Sequence, residues 1–250
     1  MRRLFFVFVI AAIITPSLAG AQEYFQQTVA YKINVRLDPK EHMLTGTEEI
    51  VYTNNSPDTL KEFYLHLYPN AFKSKDTALM TDVRKRFNRT ISDLPKKYRS
   101  YLNISNVMID TTRVSPIIDD TIAKFFLPHP LAPGATMRIS LRFEEKVRRH
   151  AGRAGYRKEH YDIAQWYPKV VVYDEKRFHP DKFRLGEFYG EFADFDVSIE
   201  IPIQYVVAAT GVLEEGDAGW TYNPVKGKRR KGERGEDKKY KTVRFRAENV

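Results

Sequence analysis

The sequence predicts an all-β protein, a sandwich or saddle-shaped multi-stranded sheet, with a short helical or irregular excursion near residues 73–100. Three observations carry that expectation. Apolar and polar residues alternate with period two in several stretches, the signature of half-buried strands. At least seven such runs are separated by turns rich in Pro, Gly and Asn. Helical spacing appears only between Lys73 and Ser100, and no repeat of fixed period is present.

Taken in order, Tyr31, Ile33, Val35 and Leu37 form one face of a first strand, with Lys32, Asn34 and Arg36 on the other, and Asp38-Pro39 turns the chain. A second strand runs from Leu44 to Thr53 and ends at Asn54-Asn-Ser-Pro-Asp58. The third, Phe63 to Tyr68, is expected to send Leu65 and Leu67 inward and Tyr64, His66 and Tyr68 outward. Met80, Val83 and Phe87 recur at helical spacing, and strands resume at Tyr101 to Ile109. Leu131-Ala-Pro-Gly134 turns into a strand over Thr136 to Phe143. Val147 to Arg157 reads as a flexible basic loop. Phe195 to Ile201 alternates again and places Asp194 and Asp196 on a solvent face, as on a charged edge. Tyr205 to Val212 is nearly all apolar, and Lys241 to Arg246 reads as a final, edge-like strand.

The amino terminus reads as an address. Arg2 and Arg3 precede an apolar run from Leu4 to Ile14, followed by Ala19-Gly-Ala21. That pattern describes a secretory signal peptide over residues 1–21, leaving 22–250 as the β domain. The apolar run covers about half of the ~20 residues a bilayer helix needs, so no stable membrane anchor is expected after cleavage. The protein is expected to be exported, to a periplasmic or extracellular location. With no cysteine in its 250 residues, it can form neither a disulfide nor a cysteine metal site.

The formal charge of +9 does not indicate nucleic-acid binding. Two positive charges belong to the leader, and Lys226 to Lys241 carries a net six, so the rest of the chain is nearly neutral. One solvated loop is expected, without a broad basic face.

Residues that could carry catalysis are sparse. The six histidines are His42, His66, His129, His150, His160 and His179; none is followed by Glu and no two are four residues apart. A His-Glu-x-x-His zinc site is therefore missing. The nearest grouping, His160 with Asp162 and distant His179, lacks ligand spacing. No Gly-x-Ser-x-Gly elbow or phosphate-binding glycine loop occurs.

What stands out is Asp162 to Ile201, with Trp166, Tyr167, Tyr173, Phe178, Phe183, Phe188, Tyr189, Phe192 and Phe195 close together. Aromatics at this density read either as a shaped surface that meets a ligand or partner, or as a loop-rich core. Gln165-Trp-Tyr-Pro168, His179-Pro-Asp181, Gly186-Glu-Phe-Tyr-Gly-Glu-Phe192, Asp194-Phe-Asp-Val-Ser-Ile-Glu-Ile-Pro202 and Tyr205-Val-Val-Ala-Ala-Thr-Gly211 together resemble the aminopeptidase N family of zinc metallopeptidases. The resemblance covers about Tyr31 to Val250 and concerns that family's amino-terminal β domain. It implies a peptide substrate, a carboxy-terminal catalytic domain as the missing partner, and zinc held by that domain and not by this chain.

The resemblance also implies that Gln165 is a substrate contact; on residue type alone, a Gln that caps a turn is the other reading. Tyr167 departs from relatives that place an acidic or amide group there to meet the substrate's amino group. The alternative function is a free-standing secreted β-sandwich that binds protein or carbohydrate through its aromatic surface.

Overall fold

A computed structural model of the chain describes residues 25–87, 99–150, 153–186, 188–219 and 239–250. The expected leader and nearly all of the basic stretch after Lys226 lie outside the described residues. Alternation at the start becomes β1 (Thr28–Asp38), with Tyr31, Ile33, Val35 and Leu37 turned into the core. Asp38 Oδ1 accepts from the amides of Lys40 (2.8 Å) and Glu41 (3.3 Å), closing the turn into β2 (Met43–Thr53). β3 (Leu60–His66) leads through a 3-10 turn, Tyr68–Phe72, to helix α1 (Ala78–Phe87).

Next come β4 (Tyr101–Ile109), β5 (Thr112–Arg113), β6 (Ile117–Asp119), β7 (Ile122–Leu131) and β8 (Thr136–Lys146). Short pieces follow: β9 (Gly155–Arg157), β10 (His160–Asp162), β11 (Lys169–Val170), β12 (Tyr173–Asp174) and β13 (Arg177–Phe178). β14 (Asp194–Pro202), β15 (Val212–Glu215) and β16 (Tyr240–Ala247) complete the described chain.

Eight strands make one sheet in the order β15-β16-β14-β1-β2-β8-β4-β5, and four make a second, β11-β3-β7-β6. β1 and β14 run parallel, while β2 and β16 flank that pair antiparallel. Apolar side chains from both sheets meet in one core. Tyr31, Ile50, Ile139 and Val243 come from the large sheet, and Phe63, Leu65, Ala123 and Phe125 from the small one. This is the sandwich-like all-β architecture expected, with its helix inside the 73–100 interval.

Several local readings are corrected. Tyr64, His66 and Tyr68 are buried along with Leu65 and Leu67, because β3 is covered on both faces, with Leu65 in the main core and Tyr64 packed with Ile122 and Val171. β7 went unread because Pro128 and Pro130 interrupt its pattern; pairing with β3 shifts register at that place, where proline is tolerated. Of the apolar run Tyr205 to Val212 only its last residue enters a strand. Val207 turns inward, whereas Val206 and Val212 face out. β16 is not an edge, since β15 covers its outer side. β14 is internal as well, and Asp196 is no bare edge charge: both its oxygens accept from Arg244 at 2.7 Å. The basic stretch after Val147 is partly strand and partly core, with Val147 and Arg148 buried.

Candidate functional site

Gln165 follows the β9/β10 hairpin, which is held firmly at its base. Tyr156 stacks on His42 with centroids 3.5 Å apart, and the Tyr161 hydroxyl lies 2.6 Å from His42 Nδ1 and donates to the Pro39 carbonyl. Asp162 binds two imidazoles at once, His150 Nε2 at 3.0 Å and His160 Nε2 at 3.1 Å. Three residues on, Gln165 adopts a φ of 55°, a left-handed conformation unusual for a residue with a side chain.

The residues after it are anchors. Trp166 packs against Phe143 at 5.9 Å, and Tyr167 meets Tyr31 (5.2 Å) and Phe195 (5.6 Å) edge to face. Phe143 occupies space that Gly46 leaves open: a Cβ at Gly46 would sit 2.6 Å from Phe143 Cζ and collide with the Asn34 carbonyl. The Val170 amide then donates to the Tyr31 hydroxyl at 2.9 Å, locking the segment to β1. Gln165 is thus pinned from both sides, and its Oε1 is shut off from water with no hydrogen-bond partner.

Gln165 forms part of the wall of a groove of about 390 Å³. One side is the α1 face bearing Leu79, Met80 and Val83; the other carries Phe183 and Phe188, stacked at 4.8 Å with Tyr68 edge-on to both. Arg184 clasps Asp82 through two bonds (2.9 and 3.0 Å) and ties that second side to α1. At the floor lie Glu145 and Arg148. Burial pushes the Glu145 carboxyl up to about 8, with the nearby Arg148 charge only partly opposing it. Burial likewise pushes Arg148 down to about 10, opposed by Glu145. The floor residues are buried and the walls are mostly apolar, with a few polar groups converging, which is the anatomy of a small-ligand or side-chain pocket.

The dense aromatic stretch divides among three places. Trp166, Tyr167, Tyr173, Phe178 and Phe195 pack on the main core, and Phe183 and Phe188 line the groove. Only Tyr189 and Phe192 are largely exposed, at 53% and 59%. A broad aromatic surface is therefore corrected to a loop-rich core with one aromatic-walled groove. Tyr167 faces the core and stands outside the groove lining, so it meets no ligand there.

His160 and Asp162 do join, but with His150 as the third member; His179 instead pairs with Asp174, which also accepts from the Tyr189 hydroxyl. Among the described residues no group of three or more His, Cys, Asp or Glu is arranged to hold a metal, so the donor set for zinc is not found here. Sequence reasoning missed Glu145 and Arg148. The alternation of β8 places Glu145 on the same face as Met137, Ile139, Leu141 and Phe143, and that signal was available.

No protein-family model matches the chain, and no curated protein does. Solved structures similar to it include an M1 zinc metallopeptidase from Deinococcus radiodurans, with 17% identity and a TM-score of 0.47. A mutant of the M1 zinc metallopeptidase from that organism bound to a Tyr-Ser-Ala substrate gives the same values. A two-domain M1 zinc metallopeptidase mutant bound to L-tryptophan gives 16% identity. Each covers 88% of this chain, and the chain spans 39% of the length of each.

Proposed function

We propose that the chain is the amino-terminal substrate-cleft domain of an exported zinc metallo-aminopeptidase, which removes amino-terminal residues from peptides. In this reading Gln165 contacts the peptide, and zinc chemistry belongs to a carboxy-terminal catalytic domain. One observation carries it. Gln165 lines the groove wall and holds a left-handed backbone there, at a cost of roughly 1–3 kcal/mol. A turn cap would have satisfied its amide oxygen, which is buried without a partner, so the strained residue fits a place in the groove wall better than a cap. A primary amide suits a peptide, because its oxygen accepts from an N–H or ammonium and its NH₂ donates to a carbonyl.

The alternative of a free-standing binder with an aromatic surface loses support, since within the dense aromatic stretch only Tyr189 and Phe192 are well exposed among the described residues and the Tyr189 hydroxyl is engaged by Asp174.

Two measurements test the proposal. In the enzyme carrying both domains, Gln165→Ala is expected to lower kcat/KM on aminoacyl p-nitroanilides by roughly tenfold to a hundredfold, the loss of one to two ligand hydrogen bonds. The purified 250-residue chain, supplied with zinc, is expected to show no turnover on the same substrates. Unchanged kinetics in the first assay removes Gln165 from the site, and turnover in the second overturns the division of labour.

A further inference from the structure

Arg148, at the floor of the groove, remains to be explained. Its residue is only 7% exposed, yet a guanidinium offers five N–H donors and stays charged. Among the described residues it makes one hydrogen bond, from Nη1 to the Arg149 carbonyl at 3.4 Å, and its Cζ lies 3.9 Å from the centroid of the Phe72 ring. None of its nitrogens is both buried and without a partner, so the donors it does not use keep access to the groove that Arg148 lines. Glu145 is the obvious neighbour. Its Oε2, however, is buried without a partner and so makes no ion pair with Arg148, and burial, partly opposed by the Arg148 charge, pushes its carboxyl up to about 8.

Other charges around the groove have their own partners. Asp162 is held by His150 and His160, Arg184 by Asp82, and Arg153 sits at the rim 5.9 Å from the Phe188 ring. Among the described residues, the charge in this groove that makes no ion pair is therefore the positive one at the floor, with mostly apolar side chains around it.

We propose that the groove binds an amphipathic carboxylate, its anionic end on the Arg148 guanidinium at the floor and its apolar body along Phe72, Met80, Val83, Phe183 and Phe188. A carboxylate matches the guanidinium fork with two parallel bonds, and the same head can accept from the protonated Glu145. The apolar walls then take hydrocarbon out of water at roughly 25 cal/mol per Å². A groove of about 390 Å³ is within the usual range for small-molecule sites. The head could belong to a free medium-chain fatty acid or to the carboxyl end of a short apolar peptide. This inference concerns the floor of the groove and holds whether or not the peptidase reading does.

Isothermal titration of the 250-residue chain at pH 7 with decanoate, decanol and acetyl-leucyl-phenylalanine tests it. Decanoate is expected to bind at least about tenfold more tightly than decanol, the difference one charged hydrogen-bonded contact makes. Arg148→Met should remove that preference. Val83→Trp, which fills the groove from α1 and leaves the floor untouched, should abolish binding, and Arg142→Gln on the outer sheet face should leave it intact. Raising the pH to 9 should weaken decanoate binding, since Glu145 then ionises and neutralises Arg148. Tighter binding of acetyl-leucyl-phenylalanine assigns the head to a peptide end; tighter binding of decanoate assigns it to a fatty acid. Equal affinity for decanoate and decanol, decanoate binding that survives Val83→Trp, or no binding of any probe overturns the proposal. Thermal melts establish that each variant is folded; should Arg148→Met fail to fold, the decanol and Val83→Trp comparisons decide. Because binding is read without turnover, a failed peptidase assay leaves this result standing, and the reverse also holds.

Discussion

Glu48 shows how much one side chain can be made to bear. In Thr-Glu-Glu-Ile one of two adjacent glutamates must face inward, and Leu44, Ile50 and Tyr52 decide that it is Glu48. It lies between Ile33 and Leu141, 2% exposed, and both carboxyl oxygens lack partners. Burial raises its pKa well above the usual carboxylate range. The folded chain therefore holds a proton that the unfolded chain releases above about pH 4.5, so stability is complete below that value and declines as pH rises toward the folded pKa. Glu48→Leu is expected to stabilise the fold, by a margin that widens by up to about 1.4 kcal/mol per pH unit through that window. Urea melts of both proteins at pH 5, 6 and 7 read it directly; a gap independent of pH means that the carboxyl does not titrate as described.

At the scale of elements, β2 and β8 position the site without touching a ligand. Gly46 of β2 faces Phe143 of β8, and its missing side chain lets that ring lie where Trp166 can rest on it, one residue from Gln165. Gly46→Ala would drive a methyl group into the ring and into the Asn34 backbone, at a cost of about 1–3 kcal/mol. The expected outcome is a lower melting temperature together with a shift in Trp166 fluorescence. A melting temperature equal to that of the natural chain would show that this contact does not set the packing. Helix α1 was legible from the spacing of Met80, Val83 and Phe87, but its use was not. Met80 is buried and Val83 borders the groove, while Phe87 points away. The cap explains why the helix begins where it does. The Ala78 amide donates to Asp120 Oδ2 at 2.7 Å, and Thr77 Oγ1 accepts from the Met80 amide at 3.3 Å. Asp120 is distant in sequence, so no local pattern announces that bond.

At the scale of the whole molecule the buried acids act together. Burial pushes Glu145 up to about 8 and Glu191 to about 7, and Glu48 is raised as well. All three favour the folded state at low pH and lose that contribution as pH climbs through their folded values. His66 works the other way: burial lowers it to about 4, so its contribution is complete above about 6.5 and lost on acidification. Between pH 6.5 and 8 only the acids among these four still change, and the melting temperature is expected to fall across that interval. A flat or rising profile there would sink the assignment of protonated acids to the interior. The sequence by itself determined the β class, the inward faces of β1 and β8, the place of the helix and the chemistry that Gln165 can offer, because period-two alternation and turn residues are local. Tertiary structure alone decided which strands are internal, that Trp166 and Tyr167 are anchors in place of contacts, and that Glu145 and Arg148 share a groove floor. Those outcomes depend on which distant segments cover a face, and burial by a distant segment leaves no mark on the residues it covers.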